Sequence, residues 1–263
     1  MKTFRPHYEV TTLEGKPHLI GEIDRLSQEA WPEFLLHANI RYWRSLFEEF
    51  ADFQILFCQP TDTLLAVGLT IPLVWNGRTD GLPPDLDTLM EQAMVAFRQK
   101  QTPTTLSALA AIITRNHQGK GLSVELLRTM ISLAAKHNLS SLIAPARPTL
   151  KCLYPLISME QYVKWVREDG APFDPWIRVH WRLGAAQLTV APKALRVTGT
   201  VSEWEKWTKM SFPESGQYVI PGALQPVIIN RERNIGSYEE PNVWMRHPVQ
   251  QKRVAPNWIN EPP

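Results

Sequence analysis

The stretch 112–123 constrains the fold of this chain most strongly. An apolar run ends there in the short turn Gln118-Gly119-Lys120-Gly121, and a helical pattern of apolar residues follows. The first backbone N–H groups of a helix have no partner within it, and the helix dipole adds positive potential at the same place. Glycines at Gly119 and Gly121 allow unusual dihedrals and close approach of a ligand. The stretch therefore predicts an anion site suited to phosphate.

Two nucleotide-binding motifs can be tested against this turn, and each lacks a required residue. A dinucleotide fingerprint requires a third glycine where Val124 stands and an acidic residue in the region of 140–144, which has none. A Walker-type loop requires Ser or Thr after the Gly-Lys pair, but Gly121 follows Lys120. Both nucleotide interpretations are weakened.

The turn resembles motif A of the GCN5-related N-acetyltransferases, in which an apolar strand runs into Arg/Gln-Gly-x-Gly and a helix that binds the pyrophosphate of acetyl-coenzyme A. The sequence departs from the motif at Arg115, where proline is common, and at Ser123, where a third Gly or Ala is usual. The resemblance implies acetyl-coenzyme A as donor, bound by Ile112, Ile113, Thr114, Gln118, Gly119, Lys120, Gly121, Leu122 and Ser123.

The apolar patterns predict an α/β protein. Strands are expected at 8–13, 53–59, 64–75, 104–114 and 140–144, and helices at 20–37 with a break at Pro32, 41–50, 85–100, 122–136 and 174–184. Thr88 with Glu91 fits a capping box, and Asp174 precedes Pro175 at a helix start. The resemblance, which extends over Tyr8–Val190, implies a central, mostly antiparallel mixed sheet with a splayed parallel strand pair, flanked by helices.

The C-terminal part is rich in tryptophan and proline and predicts a separate extension. We expect an acyl-coenzyme A-binding domain at 1–190 and an extension at 191–263 that packs on it or wraps it. Short strands or a hairpin are expected at 187–190 and 194–201, and at 218–220 and 227–229. A helix capped by Ser202 and Glu205 is expected at 202–209, and the remainder is expected to wrap the surface or fray.

Composition narrows the class of protein. The 263 residues carry a net charge of +2, which gives no indication of nucleic-acid or membrane binding, and no long apolar segment predicts a membrane span or a signal peptide. The two cysteines, Cys58 and Cys152, lie among apolar residues and predict reduced thiols and no metal site. We expect a cytoplasmic protein that acts on a small-molecule or peptide amine, and a homodimer is one assembly open to it.

The implied reaction is attack of an amine on the thioester, with oxyanion stabilisation by a backbone N–H near Ile112–Thr114. His180 occupies the place of the family's tyrosine acid on the last helix and is the first candidate general acid; Tyr154 and Tyr162 are others. Candidate bases are Glu48, Glu49, Glu239 and Glu240, or a chain of water molecules. Two alternatives stay open: a non-catalytic acyl-coenzyme A sensor or interaction module, and a phosphate-binding α/β protein of another family.

Overall fold

The computed structural model describes residues 8–249, and the chain forms one large twisted sheet covered by helices on both faces. The strands are β1 (Glu9–Thr12), β2 (Ile55–Cys58), β3 (Leu64–Leu73), β4 (Thr105–Ile113), β5 (Ser141–Ala146), β6 (Ala186–Gly199), β7 (Gly216–Tyr218), β8 (Val227–Asn230) and β9 (Ile235–Pro248). The α-helices are α1 (Ile20–Ala30), α2 (Ser45–Glu48), α3 (Leu86–Arg98), α4 (Leu122–Lys136), α5 (Met159–Tyr162), α6 (Pro175–Arg182) and α7 (Val201–Thr208). Short 3₁₀ helices lie at Pro17–Leu19, Glu33–His37, Ala51–Phe53, Thr79–Gly81, Arg115–His117 and Lys151–Leu153.

The sheet has the order β1-β2-β3-β4-β5-β9-β8-β7, and β6 pairs with β9. Every pairing is antiparallel except β4 with β5. The predicted mixed sheet with one parallel pair is confirmed. Among the described residues, no helix is long and apolar enough to cross a membrane.

The helices divide between the two faces of the sheet, as the core contacts establish. On one face, called the α1 face from here on, α1 packs on β3 and β4, and α2 and α3 pack on β3, β5 and β9. On the other face, called the α4 face, α4 covers β4 and β5, while α6 packs beside it and against β9. The connection between the parallel strands β4 and β5 thus runs through α4, on the α4 face of the sheet.

Several predicted helix ends are wrong by a few residues. The helix expected at 41–50 shrinks to α2, because Tyr42 adopts a φ of 62° that an α-helix cannot contain. The cap of α3 is Asp85, whose side chain accepts from the Thr88 N–H, so Thr88 and Glu91 do not form a capping box. The capping box of α7 lies two residues earlier than expected, at Thr200 and Glu203. Asp174 and Pro175 begin α6 as predicted.

The region after residue 190 differs most from expectation. The strands expected at 187–190 and 194–201 are one continuous strand, β6, whose pairing with β9 shifts register twice. The segment expected to wrap the surface contains β9, which lies in the middle of the sheet and pairs with β5 from Ser141↔Pro248 to Ala146↔Val243. The expected boundary at 190 therefore falls inside a strand of the shared sheet. The predicted fraying of the chain from 250 onwards lies outside the described residues.

Candidate active site

The turn after β4 has the backbone that its two glycines predict. Gly119 and Gly121 have φ values of 73° and 86°, a region that residues with a side chain rarely adopt. A Cβ added to either glycine would meet no atom within 4 Å, so the glycines are required by their dihedrals, and open space lies beside them. The turn can therefore accept a ligand directly against its main chain.

The start of α4 presents a run of free backbone donors. Within the described part of the chain, the N–H groups of residues 119–123 have no acceptor, whereas the next two, Val124 and Glu125, donate to the Gly121 carbonyl. Lys120 is exposed beside them. Consecutive unpaired N–H groups at a helix N-terminus form an anion site. This geometry fits the predicted pyrophosphate site.

Side-chain hydrogen bonds hold the turn to β3 and β4. The Thr114 hydroxyl lies 3.1 Å from the Leu65 carbonyl oxygen and 2.9 Å from Nδ1 of His117, and Gln118 Nε2 donates to the Ile113 carbonyl at 3.2 Å. The side-chain amide of Gln118 thus ties the turn to the end of β4. The arginine at Arg115 replaces a proline without disturbing this arrangement, since its 3₁₀ turn is formed.

β4 and β5 separate beyond a short contact, which opens a cleft. They pair only at Leu106↔Leu142 and Ser107↔Ile143, whereas β4 stays paired with β3 as far as Ile113. A register shift opposite Leu69 and Thr70 marks the point at which β4 bends away. The edge of β4 after Ser107 is therefore free to bind an extended ligand by main-chain hydrogen bonds.

Strand alternation identifies which backbone donors face this cleft. The Thr114 N–H donates to the Leu65 carbonyl, and in an antiparallel pair the N–H groups alternate between the two edges. Ile112 and Thr114 therefore direct their N–H groups to β3, while Ile113 and Ala111 direct theirs to the cleft. Of the predicted residues 112–114, only Ile113 can supply an oxyanion donor, and Ala111 is a further donor that sequence reasoning missed.

A cavity of about 310 Å³ lies on the α1 face where β4 ends. Apolar side chains of Leu26 and Ala30 on α1 form one wall, and residues 112–115 with Gln118 form the other. Glu29 and Arg115 are its two charged lining residues. The cavity connects the end of β4 to the predicted pyrophosphate turn.

His180 lies in the core of the α4 face. It is 1% exposed, and its Nδ1 lies 2.9 Å from Nε2 of His247 on β9. Burial, and secondarily the neighbouring His247, lower the pKa of His180 to about 3, and burial lowers that of His247 to about 4. An imidazole with so low a pKa carries no acidic proton near neutral pH, which argues against the predicted general acid.

The other candidate acids and bases are buried, paired with another side chain or exposed on the surface. Tyr162 is buried and donates to Asp174 at 2.8 Å, and burial together with that carboxylate raises its pKa. Tyr154 is half-buried among the aromatic rings beside it. Glu48 and Glu49 are exposed on the surface, and Glu239 pairs with Lys193 and Arg196.

Glu240 belongs to a buried network at the end of β5. Its Oε1 accepts from Arg147 Nε at 2.7 Å, and its Oε2 accepts from the Tyr238 hydroxyl at 2.9 Å. Arg147 Nη2 also donates to the Gly222 carbonyl at 2.6 Å. Because both oxygens of Glu240 are engaged, it is not a free base.

The chain after α1 closes over the cleft and reaches this network. α1 packs on β4, whereas Phe34 packs on β6 and β9, so the residues between them cross from one side of the cleft to the other. Pro32 in this crossing lies against Gly222, where an added Cβ would come within 2.9 Å of the proline ring. We call Pro32, Arg147, Gly222, Glu240 and Asn242 the cleft mouth. Its members come from four separate parts of the sequence, and no local motif reveals them.

A nine-stranded mixed sheet, a splayed parallel strand pair and a glycine turn with free N–H groups fit an α/β protein that binds an acyl-coenzyme A. No family model matches the chain. It is 27% identical to the arginine N-acetyltransferase avaD of Aspergillus versicolor over an alignment of 278 positions, gaps included, which covers 93% of this chain and 95% of that protein.

Two solved structures share the fold. The loading GNATL domain of CurA from Lyngbya majuscula is 14% identical with a TM-score of 0.58, covering 93% of this chain and 98% of that domain. The GphF GNAT-like decarboxylase in complex with isobutyryl-CoA is 11% identical with a TM-score of 0.54, covering 92% of this chain and 100% of that one. These similarities support the predicted resemblance to the GCN5-related N-acetyltransferase superfamily. The predicted superfamily, enzyme class and acetyl-coenzyme A donor are confirmed.

Proposed function

We propose that the protein transfers the acetyl group of acetyl-coenzyme A to the primary amine of a small polar acceptor, with arginine as the first candidate. The observation that carries the proposal is the open edge of β4 beside the free N–H groups of residues 119–123. The relative named as an arginine N-acetyltransferase, which is similar over nearly the whole chain, supports the acceptor class.

In this proposal the residues of the turn and of β4 divide the work. Backbone N–H groups of residues 119–123 bind the pyrophosphate, and the free edge of β4 orients the pantetheine arm. The acceptor nitrogen attacks the thioester carbonyl carbon, its oxygen takes the negative charge near the N–H of Ile113 or Ala111, and the carbon–sulfur bond then breaks. The amine proton leaves to solvent, and the thiolate leaves as the coenzyme's thiol after protonation.

The fold by itself does not determine the reaction, because a neighbour of similar fold is described as a decarboxylase. The non-catalytic alternative, an acyl-coenzyme A sensor or interaction module, has the same donor site and would lack turnover. The cytoplasmic location and the homodimer stay predictions.

One experiment separates these alternatives. Release of free coenzyme thiol is followed with acetyl-coenzyme A and L-arginine or other primary amines, and the product mass is measured. We expect thiol release that depends on the amine and a mass increase of one acetyl group. Binding of coenzyme A by calorimetry without thiol release for any amine would contradict the N-acetyltransferase and favour the sensor. The Gly121→Val variant, which disturbs the turn at 118–121, serves as the negative control.

A further inference from the structure

We propose that the acceptor is a free α-amino acid whose carboxylate binds the guanidinium of Arg147 at the cleft mouth. This inference rests on the proposed function and adds to it a specificity-determining residue. Arg147 follows β5 directly, so it lies at the open end of the parallel strand pair.

The guanidinium of Arg147 is fixed on one side and free on the other. Nε donates to Glu240 and Nη2 donates to the Gly222 carbonyl, which leaves Nη1 and the second hydrogen of Nη2 without partners in the described part of the chain. A planar guanidinium with hydrogens left on both Nη atoms can bind a carboxylate through two hydrogen bonds. The side chain is 17% exposed, so this edge is reachable.

The support behind Arg147 is rigid. Glu240 is 2% exposed, and its second oxygen accepts from Tyr238, whose hydroxyl in turn accepts from the Leu224 N–H at 2.9 Å. Burial alone would lower the pKa of Arg147. The charge and the hydrogen bond of Glu240 outweigh this effect and raise the pKa above its usual value. A fixed cation requires little reorganisation when a carboxylate binds.

Asn242 supplies a matching partner for the amine. The pairing ends at Ala146↔Val243, and one further step in the same register would place Arg147 opposite Asn242, with Cα atoms about 5 Å apart. Asn242 is 5% exposed and donates through Nδ2 to the Pro145 carbonyl, but its Oδ1 is buried without a partner. A buried amide oxygen that lacks a donor is costly, and the N–H of a bound amino group would satisfy it.

The two groups together complement an α-amino acid. The carboxylate and the α-amine of such a molecule are separated by one carbon, and a carboxylate site and an amine site lie here on neighbouring strands. Asn242 and Glu240, two residues apart on β9, share the α1 face, over which Pro32 and the residues beside it close the cleft. An amine held at Asn242 would lie at the end of the cleft into which β4 directs its free N–H groups.

The test compares acceptors that differ only in the carboxylate. Values of kcat/KM are measured for L-arginine against agmatine, which is arginine without its carboxylate, and for L-lysine against cadaverine. The wild-type enzyme should prefer the amino acid of at least one pair by about 10-fold or more. Arg147→Gln should reduce that preference by about 10- to 100-fold, mainly through KM for the amino acid.

Two further variants keep the test decisive. Arg147→Gln/Glu240→Gln removes both buried charges, so it keeps a neutral network even if Arg147→Gln alone folds poorly, and it should show the same loss of preference. Arg196→Gln removes an exposed arginine that pairs with Glu239 on the neighbouring strand, and it should keep the wild-type preference. Calorimetric binding of coenzyme A verifies that each variant is folded.

The outcomes separate this inference from the proposed function. If amines are acetylated but the wild-type enzyme prefers agmatine and cadaverine, or if Arg147→Gln lowers both members of a pair equally, the carboxylate site is wrong and the acetyltransferase stands. If coenzyme A binds and no amine releases thiol, the proposed function fails and this inference fails with it.

Discussion

The donor turn and the cleft mouth are built in opposite ways. The donor turn, residues 118–123, is one continuous and mostly exposed stretch. It offers backbone N–H groups, so the identity of its side chains matters little. The cleft mouth joins four distant parts of the chain through buried hydrogen bonds of Arg147 and the packing of Pro32 against Gly222. A change in the turn should therefore act on coenzyme binding, whereas a change in the mouth should act first on stability.

The largest expected effect tests the mouth. Glu240→Ala leaves the Arg147 guanidinium buried without its carboxylate, which should lower the free energy of unfolding by about 3–5 kcal/mol. The adjacent Glu239→Ala removes a more exposed carboxylate that pairs with Lys193 and Arg196, and it should cost less than about 1 kcal/mol. Urea denaturation measures both values. Equal losses for the two variants would contradict the view that the mouth is a buried structural network.

The next effect tests whether His180 belongs to the core or to the chemistry. Its folded pKa of about 3, and that of about 4 for His247, lie below the value near 6.5 of an unfolded histidine. The unfolded chain then binds more protons, so this stability is complete above about pH 6.5 and is lost as the pH falls towards 4. Between pH 7 and pH 5 the loss should be about 2 kcal/mol for each histidine.

Chemical denaturation at a series of pH values measures this slope. The double variant His180→Phe/His247→Leu should flatten it, and acetyl transfer should persist in that variant at pH 7.5. A slope that remains as steep as in the wild type, together with lost turnover, would return His180 to the list of candidate acids.

The smallest effect tests the donor turn. Gly121→Val places a β-branched residue at a φ of 86° beside the anion site, and we expect coenzyme A affinity to fall by about 10- to 100-fold. Gly170→Val is the matched control, because Gly170 has a φ of 75° and similar open space, yet lies in another loop. Both variants should lose comparable stability, and only the first should lose affinity in calorimetry. Equal affinities would exclude the turn as the coenzyme site.

The part of the fold that local patterns determine was predicted from the sequence. The strand-turn-helix-strand unit at 105–146 was found because each element has its own apolar period and the turn its own glycines. The hairpin of β2 and β3 and the start of α6 at Asp174 were found for the same reason. Helix ends at Tyr42 and Thr200 were missed because tertiary contacts, and not local propensity, select their backbone angles.

The acceptor side could not be predicted in the same way. β9 contains charged and polar residues next to tryptophan and methionine, and its place in the sheet depends on pairing with β5 across about a hundred residues. Arg147, Gly222 and Asn242 carry no spacing that relates them. The register of β5 with β9 brings Arg147 near Asn242, and the Arg147 side chain in turn binds the Gly222 carbonyl.

The position of β9 also has a consequence for how the molecule folds during synthesis. β5 can pair with β4 and receive α4 as soon as these segments have been made, but its other edge stays unpaired until the ribosome has produced β9. Closing so long a loop is slow, and an exposed central strand is prone to associate with other chains in the meantime. Chaperone demand and inclusion-body formation should therefore depend on β9 more than on any other strand.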